Sequence, residues 1–282
     1  MTRINPLYLN ELSYINYLID RILFELSSTY SNHNYNLCYE SITLLFHSIR
    51  NNSLSNLHFF YNTVFENDLF GFSDVKRNLR YNIEAYIDIY NITNDITYNK
   101  GYLYLLKLPQ YRYLEISYKN EDISKDDFDY NIKLLDFNKN NYYQFIDNYK
   151  NIKNSKKYLS SFSSKCTIAH CNGLYKQNVE KYEKYFKEFS HHCHPNIFIN
   201  SGDIYDRIIE SKDLLLLHLE ILIYSLNCLI SYAQNLFENM VYNNINYVNM
   251  YALFNTLGYC ISNFNYKIYN SNNITINNWN IK

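Results

Sequence analysis

Apolar side chains recur every three or four positions along most of this chain, the spacing that gathers them on one face of an α-helix. Leu9, Leu12, Ile15, Leu18, Ile19, Ile22, Leu23 and Leu26 mark the first such face over residues 7–28, with Pro6 near its first turn. Similar patterns predict helices over about 36–49 and 55–70. Gly71 then punctuates the chain. Ser73 is suited to cap a helix running to about Thr93, with Asp74 favourable in its first turn.

The pattern is less decided from Gly101 to Lys119. Tyr102, Tyr104, Leu106 and Leu108 alternate, yet Leu103 and Leu105 are equally apolar, and Pro109 interrupts. The expectation there is a bent helix followed by a loop. Residues 120–157 are polar and acidic, then lysine-rich, with short helical patterns at about 124–136 and 140–151, and 100–157 is where an inserted or mobile lobe would lie. A charged amphipathic helix is expected from Leu174, after Gly173, to Cys193. Pro195 biases the residue before it away from helical geometry, so His194 falls at or beyond the helix end.

Residues 211–240 form the most apolar element. Glu220, Asn227, Ser231, Gln234, Asn235 and Glu238 share one narrow polar stripe, and most of the remainder is apolar, as in a bundle helix enclosed on most sides. His218 stands alone on its apolar side and reads as a core histidine with its hydrogen bonds satisfied. A last helix is expected over about 245–262, before a tail, 263–282, without clear period. These elements predict an all-α multi-helix bundle around the hydrophobic helix 211–240, organised as one domain over residues 1–262.

Composition sharpens this picture. With only 5 Gly and 3 Pro among 282 residues, the tight turns of sandwiches and barrels are disfavoured, and glycine-rich nucleotide-cradling loops are nearly excluded. The wealth of Asn, Tyr, Ile and Lys reads as the imprint of a very A+T-rich genome. Net charge is −1, so no global field drives the chain toward nucleic acid or membrane. Charge is uneven locally: nine Lys lie between Lys150 and Lys187, and seven acids between Glu115 and Asp136. The lysine run is a solvated face or an RNA-facing surface. Six cysteines without regular disulfide spacing, and no signal-like N-terminus, lead to the expectation of a reducing, cytoplasmic setting. His218, Glu220 and Asn227 interrupt the apolar run 214–230, which argues against a membrane span.

Three groups of residues could carry chemistry. Ser190-His191-His192-Cys193-His194-Pro195 concentrates three of the eight histidines at a predicted helix C-terminus. Protonated imidazole is favoured there by a few tenths to ~1 kcal/mol, which suits capping; a base titrating near neutral pH equally suits ester or RNA cleavage. Cys166, His170 and Cys171 could join His192 and His194 around zinc, but the spacing matches no common structural zinc site. No metal and no cofactor is therefore the expectation. Arg77, Arg80, Glu84 and Asp88 share one helical stripe beside Leu79, Ile83, Ile87 and Tyr90. That stripe is either a surface ion-pair ladder or a pair reaching into the bundle.

Arg80-x-x-x-Glu84 on one helix, followed by Phe189-Ser190-x-x-x-His194-Pro195 leading into a very apolar helix, resembles an uncharacterised family of bacterial all-helical proteins. In that family an Arg-x-x-x-Glu helix precedes a Leu-Ser-x-x-x-His-Pro or His-Gly motif by about a hundred residues. Its layout is similar to that of HEPN-type helical bundles, many of which act as ribonucleases in toxin and anti-phage systems. The resemblance covers roughly residues 36–240 and implies that Arg80, Glu84 and His194 meet inside the bundle. The commoner HEPN signature is matched nearest by Arg50-Asn51 with His58, at a gap one residue longer. Two readings follow. One is a metal-independent RNA-cleaving protein of the toxin or phage-defence type, using His194, Arg80 and Glu84, with RNA as its partner. The other is a non-catalytic interaction or scaffold module, with a protein partner or a second copy of itself.

Overall fold

The computed structural model describes residues 6–30, 37–62, 69–151, 161–190, 204–241 and 245–270. They form ten helices and no strand, an all-α fold. In chain order these are α1 (Pro6–Tyr30), α2 (Leu37–Asn62), α3 (Leu69–Asn94), α4 (Ile96–Lys119) and α5 (Lys125–Leu135). After them come α6 (Lys139–Asp147), α7 (Phe162–Cys171), α8 (Lys176–Ser190), α9 (Ile204–Val241) and α10 (Ile245–Asn270). The chain divides into two compact units, Met1–Ile89 with Lys184–Lys282, and Tyr90–Glu183.

The first unit is built on α9. Leu214, Leu217, Ile221, Leu222, Leu226 and Leu229 are buried, while Asn227 and Asn235 of the polar stripe are exposed. Helix α2 packs against α9 through a face bearing Ile42, Phe46 and Ile49, all fully buried, and α1 packs against α10. Burying an aliphatic side chain of this size contributes about 1.5–3 kcal/mol, so these faces supply the drive that isolated helices lack. Within α9, Leu216–Ala233 is long and apolar enough to cross a membrane by composition; 72% of it lies buried against the rest of the protein.

The second unit has an aromatic core. The Tyr98, Phe145 and Tyr149 rings meet edge to face at 5.6–6.4 Å. Gly101 makes this possible: a Cβ there would stand 2.0 Å from the Phe145 ring. Asp95 separates α3 from α4 and caps α4, accepting from the backbone N–H groups of Thr97 and Tyr98 at 2.8 and 3.0 Å. Its other oxygen accepts from Tyr149 Oη at 2.9 Å and Asn172 Nδ2 at 3.2 Å, tying α4 to the ends of α6 and α7. Burial, then the neighbouring Asp95 charge, holds the Tyr149 phenol well above its ordinary pKa. Between α7 and α8 the chain turns at Gly173, whose φ of 101° is open to glycine at little cost.

Several predicted boundaries need correction. Residues 37–62 are one helix, not two, because the buried Ser53 and Asn56 continue the inward face where an apolar count stops. Helix α3 is already under way at Leu69, so Ser73 lies in its second turn and is not its cap. The ~1 kcal/mol cost of a helical glycine at Gly71 is offset by buried Val75, Leu79, Ile83 and Ile87. Pro109 does not end α4, which continues to Lys119 with the proline on its exposed side. A mid-helix proline costs about 3 kcal/mol; buried Tyr98, Tyr102, Leu105 and Leu108 hold the preceding turns. Helix α10 extends to Asn270, beyond the period legible up to 262. Helix α7, unanticipated from the sequence, is capped by the Ser161 hydroxyl.

Candidate functional site

Arg80 and Glu84 stand one turn apart on α3, where the helix face passes from exposed Arg77 to buried Asp88. Arg80 turns toward the end of α8. Its Nε–H donates to Ser190 Oγ at 3.1 Å, and the Ser190 hydroxyl donates to the Phe186 carbonyl at 2.5 Å. This relay fixes the guanidinium plane. The same group lies 4.4 Å from the Phe186 ring centroid and 5.4 Å from that of Tyr81. An Arg over an aromatic face gains about 0.5–1 kcal/mol where water has access and more where it does not. Arg80 Nη1 and Glu84 Oε2 are 3.9 Å apart, with the two side chains 22% and 31% exposed. At that distance and exposure the ion pair is weak, near ~0–1 kcal/mol.

Of the sequence-predicted site, then, Arg80 and Glu84 are neighbours, and Arg80 is bonded to Ser190 of the second motif. The segment that follows, with His191, His192, Cys193 and His194, lies outside the described residues. The Arg77 end of the stripe pairs locally with Asp74 at 2.6 Å. Arg50 is engaged by α1, pairing with Asp20 and donating to Asn16 Oδ1 at 3.2 and 3.4 Å. The side chain of His58 lies outside the described residues.

Among the cysteine and histidine residues weighed for zinc, Cys166 is fully buried in α7, whereas His170 and Cys171 are exposed. His170 Nδ1 is 3.0 Å from the Leu174 carbonyl, so that ring nitrogen carries the proton and donates. Among the described residues no group of three or more His, Cys, Asp or Glu side chains is placed to hold a metal ion.

A second polar constellation was not anticipated as a unit. His218 of α9, 1% exposed, faces Ser53 and Asn56 of α2 and Asn82 of α3. Its Nε2 contacts Asn56 Nδ2, and its Nδ1 lies 3.5 Å from Ser53 Oγ. A neutral ring protonated on Nδ1 donates to Ser53 and accepts from Asn56, while the Asn82 amide, 3.3 Å from Nδ1, places its two hydrogens on Ser53 Oγ at 3.3 Å and the Ile49 carbonyl at 3.4 Å. Asn78 donates to Asn56 Oδ1 at 3.0 Å and Asn52 donates to Asn82 Oδ1 at 2.9 Å, extending the network toward solvent. Burial lowers the His218 pKa from 6.5 to about 3, so the ring is neutral throughout the physiological range. The sequence signal was Asn52-x-x-x-Asn56 and Asn78-x-x-x-Asn82, two amide pairs at one-turn spacing on otherwise apolar faces. A neutral, dry histidine of this kind specifies helix register rather than moving protons.

The Arg80 cluster differs on both counts. It is reachable by solvent, and it presents a permanent cation whose remaining N–H groups suit an oxyanion. No known family model, curated protein or solved structure matches the chain.

Proposed function

We propose that this protein cleaves RNA at the Arg80 cluster, in the manner of a toxin or defence-associated ribonuclease. Arg80 holds the scissile phosphate and stabilises charge that develops on its oxygens. Ser190 orients the guanidinium, with Glu84 one turn away as its counter-charge. His194 moves the proton of the attacking or leaving oxygen, the role that an imidazole titrating near neutral pH fills best. The supporting observation is the bond from Arg80 to Ser190 at 3.1 Å. Residues 110 positions apart are joined, and Ser190 is four residues from His194. No metal is required, because an arginine supplies the positive charge.

The non-catalytic reading has its own observation. The Arg80 guanidinium packs at 4.4 Å on Phe186, the geometry of a clamp between α3 and α8. The two readings differ in what a substitution does. A catalytic cluster predicts that the parent protein degrades a mixed RNA pool, and that His194→Ala and Arg80→Ala each abolish cleavage with little change in melting temperature. A clamp predicts no cleavage by the parent and a lowered melting temperature for Arg80→Ala. Absence of cleavage by the parent protein ends the enzymatic proposal.

A further inference from the structure

A cavity of about 250 Å³ opens between α1, α2 and α9 of the first unit, away from Arg80. Its floor is apolar and buried: Leu26 is 3% exposed and Leu229 fully covered. Leu23 and Leu44 continue the wall toward the mouth, where Leu44 is 70% exposed. An apolar cavity of ~150 Å³ already admits a benzene ring, so this one has space for a ring and a short tail.

Three of the polar groups that line it, Ser27, Glu40 and Thr43, share one chemical bias; Tyr39 and His47 complete the rim. Thr43 spends its hydroxyl proton on the Tyr39 carbonyl at 2.8 Å, and Ser27 spends its own on the Phe24 carbonyl at 2.8 Å. Both oxygens therefore face a ligand as acceptors. Glu40 adds a carboxylate in the first turn of α2, where the helix N-terminus favours negative charge. Among the described residues no cation forms a salt bridge with Glu40. His47, one further turn along the same face, titrates below its ordinary value, first through burial and then through the Arg50 charge, and is a neutral ring at pH 7. The nearby cation Arg50 is occupied by Asp20 and Asn16. An apolar space edged by these acceptors and one carboxylate, with no Lys or Arg among its described lining residues, leaves its occupant to bring the positive charge.

We infer that this cavity binds a small apolar amine, whose hydrocarbon body lies among Leu23, Leu26, Leu44 and Leu229 and whose ammonium group meets Glu40. The specificity follows from the rim. An ammonium supplies three donors to a carboxylate and hydroxyl oxygens, an alcohol supplies one, and a carboxylate of the same shape meets like charge.

Isothermal titration calorimetry on the full chain at neutral pH tests this with 2-phenylethylamine, 2-phenylethanol and phenylacetate as matched probes. The amine is expected to bind one to one, about tenfold more tightly than the alcohol, with phenylacetate weakest. Glu40→Gln should reduce amine affinity about tenfold and leave the alcohol unchanged. Leu44→Trp, at the exposed mouth, should block both while leaving the helical circular dichroism signal intact. The inference is overturned if the amine does not bind, if phenylacetate binds equally well, or if either variant leaves amine affinity unaltered.

Discussion

His218 couples the stability of the first unit to pH through a single buried ring. In the unfolded chain the imidazole takes up a proton near its ordinary value of 6.5, whereas inside the bundle burial delays protonation to about 3. Between those values the unfolded state binds the proton and the folded state does not, so acidification favours unfolding. The stabilisation is complete above pH 6.5 and is lost as pH falls toward 3. One pH unit in this window corresponds to about 1.4 kcal/mol, which gives about 2 kcal/mol lost from this residue at pH 5. Protonation would also put a second donor against Asn56 Nδ2, replacing an acceptor by a repulsion. Carboxylates contribute their own acid sensitivity, and comparison with His218→Gln removes it, since that variant keeps every carboxylate. Urea unfolding at pH 7 and pH 5, followed by far-ultraviolet circular dichroism, should show the parent losing about 2 kcal/mol more than His218→Gln between the two conditions. Equal losses in both proteins would mean that His218 is hydrated or already charged in the folded state, and the buried neutral network would be wrong.

Two other perturbations test the second unit. Gly101→Ala places a methyl group 2.0 Å from the Phe145 ring and should destabilise by about 1–3 kcal/mol or more, measured by thermal melting; Phe145→Leu in the same chain should recover part of the loss. Asp95→Ala removes the α4 cap and the acceptor for Tyr149 and Asn172; a loss of about 2 kcal/mol is expected, and a loss below a few tenths would show that water replaces these bonds.

How far the site could be read in advance depended on the kind of signal. Arg80, Glu84 and Ser190 stood out because a charged pair at one-turn spacing and a histidine-rich segment are visible in a string of letters. That Arg80 should bond to Ser190, and lie flat on Phe186, was not visible, since it depends on how α8 meets α3. His218 was legible as a core histidine with its hydrogen bonds satisfied, but its partners Ser53, Asn56 and Asn82 were not. Each amide is an ordinary helix-surface residue in isolation, and only the approach of α2, α3 and α9 turns them into a dry network. The cavity beside Glu40 belongs to the same class, because Leu23 and Thr43 of the consecutive helices α1 and α2 meet Leu229 of α9, far away in the chain.

Periodicity alone determined that the chain is helical, where most of its helices lie, α7 excepted, and that the apolar run from Leu214 to Ala233 is largely buried, because apolar spacing is a local property and burial follows from it. Some helix ends escaped it: Gly71, Ser73 and Pro109 carry local preferences of about 1–3 kcal/mol. The burial of Leu79, Ile83, Tyr102 and Leu108 outweighs those preferences, and burial is decided by neighbours distant in sequence. Tertiary structure also decided which polar groups are dry, which cation is paired and where space is left unfilled. Those properties belong to pairs and triplets of helices, and no single segment encodes them.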